Sequence, residues 1–273
     1  MLQLERCEQM IGWYRQAIRF VLPVACIGCG RSLTTDPIPF FCQDCWNQIV
    51  PLTGPSCSRC DQPFVSPAAI SSTPDHQCQN CLERPPAYQR AWTLFPYLPP
   101  LQGAICAFKY RGKFSLGTPL GTLMAGALPP ELDVDLIVPV PLYAARLRGR
   151  EFNQSLLLAD RLSRHLKKPV SVSCLIRVLP TDPQTTLTRQ ERLRNLRQAF
   201  AVREPDLFAA RRILLVDDVF TTGTTLNECA KVLLQSGAES VSAVTLARTI
   251  DSNLVPDRVL AEQAARTSPL IGL

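Results

Sequence analysis

Ile213-Leu-Leu-Val-Asp217-Asp218-Val-Phe-Thr221-Thr222-Gly223-Thr224-Thr225-Leu226 is the stretch on which the reading of the fold turns. Four apolar residues predict a strand buried on both faces, two carboxylates stand at its carboxyl end, and a loop of small residues then opens a helix. In open α/β sheets this is where ligands bind. Successive backbone N–H groups from Thr221 to Thr225, with the helix N-terminus behind them, make a cradle for a phosphate, and the threonine hydroxyls add donors. Gly223 permits close approach of the backbone. Adjacent carboxylates such as Asp217 and Asp218 can accept hydrogen bonds from two vicinal hydroxyls, which a ribose ring presents. Turn and N-cap chemistry would account for a lone Thr-Gly-Thr, but not for the whole string.

Outward from that stretch, the chain from Ala91 alternates apolar strands with amphipathic helices, the pattern of an α/β domain with a mostly parallel sheet over residues 91–250. The predicted strands are Leu136 to Val140, Val172 to Val178, Ile213 to Val216 and Val241 to Leu246. The predicted helices are Phe114 to Ala127, Asn153 to Leu166 and Thr224 to Gln235, the last closed by Gly237. Residues 251–273 show no strong period and read as a tail.

Residues 26–90 have another texture, rich in Pro, Ser and Cys and poor in long apolar runs. Eight of the 12 cysteines form Cys-x-x-Cys pairs, Cys26/Cys29, Cys42/Cys45, Cys57/Cys60 and Cys78/Cys81, with 12, 11 and 17 residues between them. A two-residue spacer lets both thiolates of a knuckle face one tetrahedral ion, and two knuckles complete a closed four-cysteine site. Two structural zinc ions are therefore expected, wired sequentially or with the pairs interleaved. Metal rather than a hydrophobic core holds such a segment together. A catalytic zinc lacks an open position and a neighbouring acid or base, His76 being a bystander. A thioredoxin-like redox role lacks the strand-to-helix setting.

Residues 1–25 carry Leu4, Cys7, Ile11, Tyr14, Ile18 and Leu22 at helical spacing, an amphipathic helix stopped by Pro23. Glu5, Arg6 and Glu8 interrupt any secretory leader, and no apolar run is long enough to span a bilayer. A cytoplasmic protein is expected, and its reducing compartment favours metal over disulfides for the cysteine pairs. The 273 residues carry a net charge of +6, unevenly spread: residues 146–212 hold 15 basic and 6 acidic side chains, an anion-binding surface at net +9. Aromatic residues are only 7%, few for a regular single-strand stacking platform.

The Ile213 to Leu226 segment resembles the motif by which type I phosphoribosyltransferases bind 5-phosphoribosyl 1-pyrophosphate (PRPP). Upstream, Val138-Pro-Val-Pro-Leu142 ends a strand in a stiff turn, followed by Arg146, Arg148 and Arg150 and by Phe152-Asn-Gln-Ser155; further on come Gln184-Thr-Thr-Leu-Thr-Arg189 and Glu191-Arg-Leu-Arg-Asn195. In this order the motifs resemble the ComF family, and the cysteine-rich half resembles that family's double zinc ribbon, so that the resemblance spans about residues 20 to 248. The implied architecture is a parallel-sheet phosphoribosyltransferase-type domain preceded by a double zinc ribbon. Asp217 and Asp218 would hold the ribose 2′- and 3′-hydroxyls and Thr221, Thr222, Gly223, Thr224 and Thr225 the 5′-phosphate. Arg146 and Arg148 would bind pyrophosphate through forked hydrogen bonds, and Lys109, in Phe-Lys-Tyr-x-Gly, would face the anionic ligand. Mg²⁺ would accompany PRPP. One departure is that Gly149 and Glu151 stand exchanged relative to the family's usual order. The family's association with natural transformation adds single-stranded DNA and a competence helicase as expected partners. Two functions stay open: transfer of a phosphoribosyl group from PRPP, and non-catalytic handling of single-stranded DNA.

Overall fold

The computed structural model describes residues 24–33, 36–64, 76–142, 152–178 and 199–250. Two short strands, β1 (Val24–Ala25) and β2 (Ser32–Leu33), pair antiparallel around the first knuckle, and α1 (Gln43–Asn47) and α2 (Gln79–Glu83) each begin at the first cysteine of a pair. The larger part follows as β3 (Ala91–Pro96), α3 (Leu101–Tyr110), α4 (Gly117–Gly126), β4 (Leu136–Pro139), α5 (Gln154–Leu166), β5 (Leu175–Arg177), β6 (Phe200–Val202), β7 (Arg212–Phe220), α6 (Thr224–Gln235) and β8 (Ser240–Arg248). The main sheet runs β3-β8-β7-β4 with every neighbouring pair parallel, as expected of an α/β domain.

β7 lies inside the sheet because Ile213, Leu214, Leu215 and Val216 are all buried, and successive side chains feed opposite cores. Leu214 and Val216 pack with α3, α4 and α5; Ile213 and Leu215 pack with α6 and the β5–β6 pair. The register of β7 on β4 is reinforced at its start, where Arg212 makes a forked pair with Asp135 at 2.8 and 2.9 Å and also bonds Asp133. Those bonds hold the Asp135 carboxyl well below the usual carboxylate range.

The cysteine-bearing segment is fused to the sheet. The first group, Cys26, Cys42 and Cys45 among it, joins the α3–α4–α5 core, while Cys57, Cys60 and Cys81 of the second join the core on the other face. Between them, the outer edge of β3 is covered. Leu52 N–H donates to Leu94 O at 2.8 Å, Ala91 N–H to Arg59 O at 2.8 Å, and Thr93 N–H to Asp61 Oδ2 at 2.7 Å.

The predicted strand Val172 to Val178 is narrower than expected. Only Leu175–Arg177 is a strand, and it pairs antiparallel with β6 outside the main sheet. Val170 instead bridges to Ile137 beside β4, and Val172 is 59% exposed at the bend between the two pairings. A single 3-10 turn, Phe114–Leu116, opens the predicted Phe114 to Ala127 helix. β3 and α3 were not marked by the sequence pattern. The expected N-terminal helix and the 251–273 tail lie outside the described residues. Among the described residues no helix is long and apolar enough to cross a membrane.

Candidate functional site

The acidic pair sits within β7 near its carboxyl end, because the strand runs beyond the apolar run through Val219 and Phe220. Asp218 is 7% exposed and its Oδ1 takes the Lys109 ammonium at 2.7 Å. Lys109 arrives from the last turn of α3, so the sheet end and that helix end are joined by an ion pair. Asp217 Oδ1 accepts from Ser155 Oγ at 2.9 Å and from the Asp218 backbone N–H at 2.9 Å. Burial pushes the Asp217 carboxyl up to about 7, and the neighbouring Asp218 charge adds to this; Lys109 and the two hydrogen bonds pull the other way.

After Phe220 the chain turns through residues 221–223 into α6. Gly223 is the N-cap with φ +72°, and a Cβ placed there would lie 2.6 Å from Phe220 Cζ and 3.1 Å from the Tyr88 hydroxyl. Both the left-handed backbone and the close ring therefore demand glycine. Thr222 and Thr224 hydroxyls lie 2.8 Å apart, and the Thr224 N–H points to Thr222 Oγ1 at 3.4 Å. The first amides of α6 have no intrahelical partners by construction. Thr221 and Thr222 are exposed and Thr224 and Thr225 half-buried, so this corner presents donors to solvent beside two carboxylates. At the far end Gly237, φ +88°, follows the helix as its C-terminal stop, as expected.

Lys109, Asp217, Asp218 and residues 221–225 are thus brought to one end of the sheet, while Arg146, Arg148 and the Gln184 segment lie outside the described residues. Ser155 belongs to the site and was not assigned a role by sequence reasoning. The Phe-Asn-Gln-Ser run that carries it was a visible signal, and the structure gives each of its residues a task. Phe152 packs on Phe108 at 5.5 Å, Asn153 caps α5 and donates to Val140 O at 3.1 Å, and Gln154 donates to Phe108 O at 3.3 Å. The run therefore ties the ends of α3, β4 and α5 together and delivers Ser155 to Asp217.

The eight cysteines gather sequentially into two groups. The Sγ atoms of Cys26, Cys29, Cys42 and Cys45 all lie within 4.8 Å of one another, as do those of Cys57, Cys60, Cys78 and Cys81. Four thiols converging on one point, with Cys42 and Cys78 N–H groups donating to sulfur at 3.4 and 3.3 Å, fit the closed tetrahedral site of a structural zinc. The interleaved wiring is excluded. His76 stands apart, with its ring against Phe64 at 5.1 Å.

Sequence comparison with known families and relatives finds the same two parts. The phosphoribosyl transferase domain family matches residues 153–263 and the double zinc ribbon domain family residues 17–84. Competence protein F of Haemophilus influenzae is 34% identical over 214 residues, 76% of this chain and 90% of that one. The DNA utilization protein YhgH of Escherichia coli K12 is 34% identical over 204 residues, 71% of this chain and 87% of that one. Competence protein ComFC of Bacillus subtilis is 28% identical over 219 residues, 76% of this chain and 84% of that one. Among solved structures, a purine phosphoribosyltransferase from Pyrococcus horikoshii overlaps at 20% identity and a TM-score of 0.27, covering 54% of this chain and 76% of that one. With two cysteine groups, a phosphoribosyl transferase domain and relatives matched along nearly their whole length, the chain belongs to the ComF family of competence-associated proteins.

Proposed function

We propose that the β7–α6 corner binds PRPP and that the protein transfers or holds its phosphoribosyl group in the cytoplasm, in support of DNA uptake and use. The observation that carries the reading is the pair of fixed carboxylates, Asp217 and Asp218, near the carboxyl end of a central strand and just ahead of a donor-rich loop that starts at Thr221. The vicinal ribose hydroxyls donate to the two carboxylates, and the 5′-phosphate accepts from the amides and hydroxyls of residues 221–225. Lys109 keeps the two carboxylates compatible with each other and with an anionic ligand. Arg146 and Arg148 take the pyrophosphate. Carboxylate and phosphate oxygens suit Mg²⁺, which balances the charge of the departing pyrophosphate when bound. Catalysis on such a site is displacement at C1 through an oxocarbenium-like state, driven by positioning and electrostatics.

Calorimetric titration of the zinc-loaded protein with PRPP and Mg²⁺, beside Asp217→Asn/Asp218→Asn, tests the site. Losing two charge-assisted hydrogen bonds of about 1.5 kcal/mol each weakens binding about a hundredfold. Pyrophosphate release on adding an acceptor identifies an enzyme, and absence of PRPP binding by the folded wild type refutes the reading.

A second reading, a surface for single-stranded DNA delivered by a competence helicase, is favoured by one observation. Tyr110 and Phe114 are 70% and 68% exposed next to exposed Arg111 and Lys113, at and just after the helix end that carries Lys109. Unpaired bases stack on such rings while the cations take phosphates. The names of Competence protein F and of the DNA utilization protein support it. An oligonucleotide titration of Tyr110→Ala/Phe114→Ala by fluorescence anisotropy tests it; unchanged affinity excludes this surface.

A further inference from the structure

Arg248 ends β8 opposite Phe220 of β7 and is 4% exposed, a buried cation outside the acidic site. Its Nη1–H donates to the carbonyl oxygen of Cys60 at 2.7 Å and its Nη2–H to Gln62 Oε1, so both branches hold the knuckle of the second cysteine group. Its guanidinium carbon lies 4.4 Å from the centroid of the Phe220 ring. The tip of that ring fills the space under Gly223, with Cζ 2.6 Å from where a Cβ would be. A second strut runs alongside. The Tyr88 hydroxyl also borders Gly223, and the preceding Ala87 N–H donates to Asn227 Oδ1 in the first turn of α6 at 2.8 Å. Asp61, between Cys60 and Gln62, accepts from Thr93 N–H at 2.7 Å and from Ser56 Oγ at 2.6 Å, which fixes the knuckle on β3.

A buried guanidinium is costly unless it is hydrogen-bonded and set against negative charge. Four thiolates around one divalent ion carry a net charge of about −2, which supplies that charge next to Arg248. Among the described residues the first group has no comparable link to the loop. Gly28 of its knuckle packs on Pro100, at the opposite end of α3 from Lys109.

We propose that Arg248 is a positioning residue for the phosphate-binding loop, through which the second four-cysteine group (Cys57, Cys60, Cys78, Cys81), and not the first, sets the affinity for a ribose phosphate. The path is the Cys60 carbonyl, the Arg248 guanidinium, the Phe220 ring and the Gly223 backbone. The knuckle carbonyls keep their places only while the metal folds the knuckle, so loss of that ion releases the guanidinium and then the ring beneath the loop. Because coupling between two binding events is reciprocal, ribose-phosphate binding must also retain the ion. The inference rests on the PRPP reading of the site.

The test uses the full zinc-loaded chain, with PRPP and Mg²⁺ as the probe, and measures both PRPP affinity and the rate of zinc release to a chelating dye. Alkylation of the freed thiols followed by peptide mass spectrometry assigns each release to its cysteine group. In the wild type, PRPP slows release from the second group and leaves the first unchanged. Arg248→Gln binds PRPP about tenfold more weakly, within the usual range of coupling between sites, and loses the protection. If Arg248→Gln fails to retain two zinc ions, Phe220→Leu, which leaves the Arg248 bonds to the knuckle in place, gives the same weakening with both ions bound. Wild-type affinity in a variant that breaks the path, or PRPP binding without selective protection in the wild type, overturns the inference alone. Absence of PRPP binding by the wild type overturns the site reading, and this inference with it.

Discussion

Two glycines in the same backbone region allow the loop geometry to be measured against itself. Gly223 and Gly237 have φ of +72° and +88°, so alanine at either pays the left-handed penalty of about 1 kcal/mol. Their surroundings differ. At Gly237 the nearest atom to a new Cβ is Ala209 Cα at 3.6 Å, an ordinary contact. At Gly223 the Phe220 ring stands at 2.6 Å, and that ring cannot yield easily because the buried Arg248 is stacked on it. Forcing the extra carbon into that packed place adds about 1 to 3 kcal/mol. Gly237→Ala should therefore lower the melting temperature by roughly 2 to 4 °C and Gly223→Ala by roughly 4 to 16 °C, at about 2 to 4 °C per kcal/mol for a chain of this size. Thermal unfolding of the zinc-loaded proteins reads the difference, and PRPP titration adds a second axis, since only Gly223→Ala disturbs the loop. Equal melting shifts, or full PRPP affinity in Gly223→Ala, would refute the packing argument.

Asp217 makes the ligand-free protein sensitive to pH. Its folded-state value of about 7 lies above the ordinary carboxylate value of about 4, so the stability it contributes is complete below pH 4 and is lost as pH rises through 7. Melting temperatures at pH 5 and pH 8 should fall further for wild type than for Asp217→Asn, and parallel slopes would remove Asp217 as the cause. Lys109→Met leaves the buried Asp218 beside Asp217 without a cation and should cost about 2 kcal/mol or more at pH 8. The cost should be smaller at pH 5, where Asp217 holds a proton; a urea midpoint unchanged at both pH values would show that the ion pair contributes nothing.

What could be read from the chain, and what could not, divides by range of interaction. The β7–α6 corner was legible because Ile213 to Val216 and the residues after them state strand, turn and helix within a few positions, and α6 occupies the expected Thr224–Gln235. The cysteine pairs were legible because metal binding imposes a spacing, although only the structure decides which pairs meet. β3 was hidden because Ala91–Pro96 is covered on both faces, so its polar and apolar residues do not alternate, and it lies among prolines that suggest a loop. Ser155 meets Asp217 across 62 residues and Arg248 meets Cys60 across 188, and no local pattern announces either partner. The misjudged Val172 to Val178 strand has the composition of a sheet strand, but Val170 had already taken the place beside β4.

The covered edge of β3 bears on how the chain is made. β3 is the first strand of the main sheet to leave the ribosome, yet among the described residues its one partner strand within that sheet is β8, about 150 residues later in the chain. At roughly 5 to 20 residues per second, β3 waits roughly 8 to 30 s for that partner. The Leu52 N–H, the Arg59 carbonyl and the Asp61 carboxylate, which cover its other margin, are synthesised before it. A nascent apolar strand with both margins open invites pairing with another chain. In this architecture the cysteine-rich segment, made first, covers one margin of β3, and β8, made last of the described strands, covers the other.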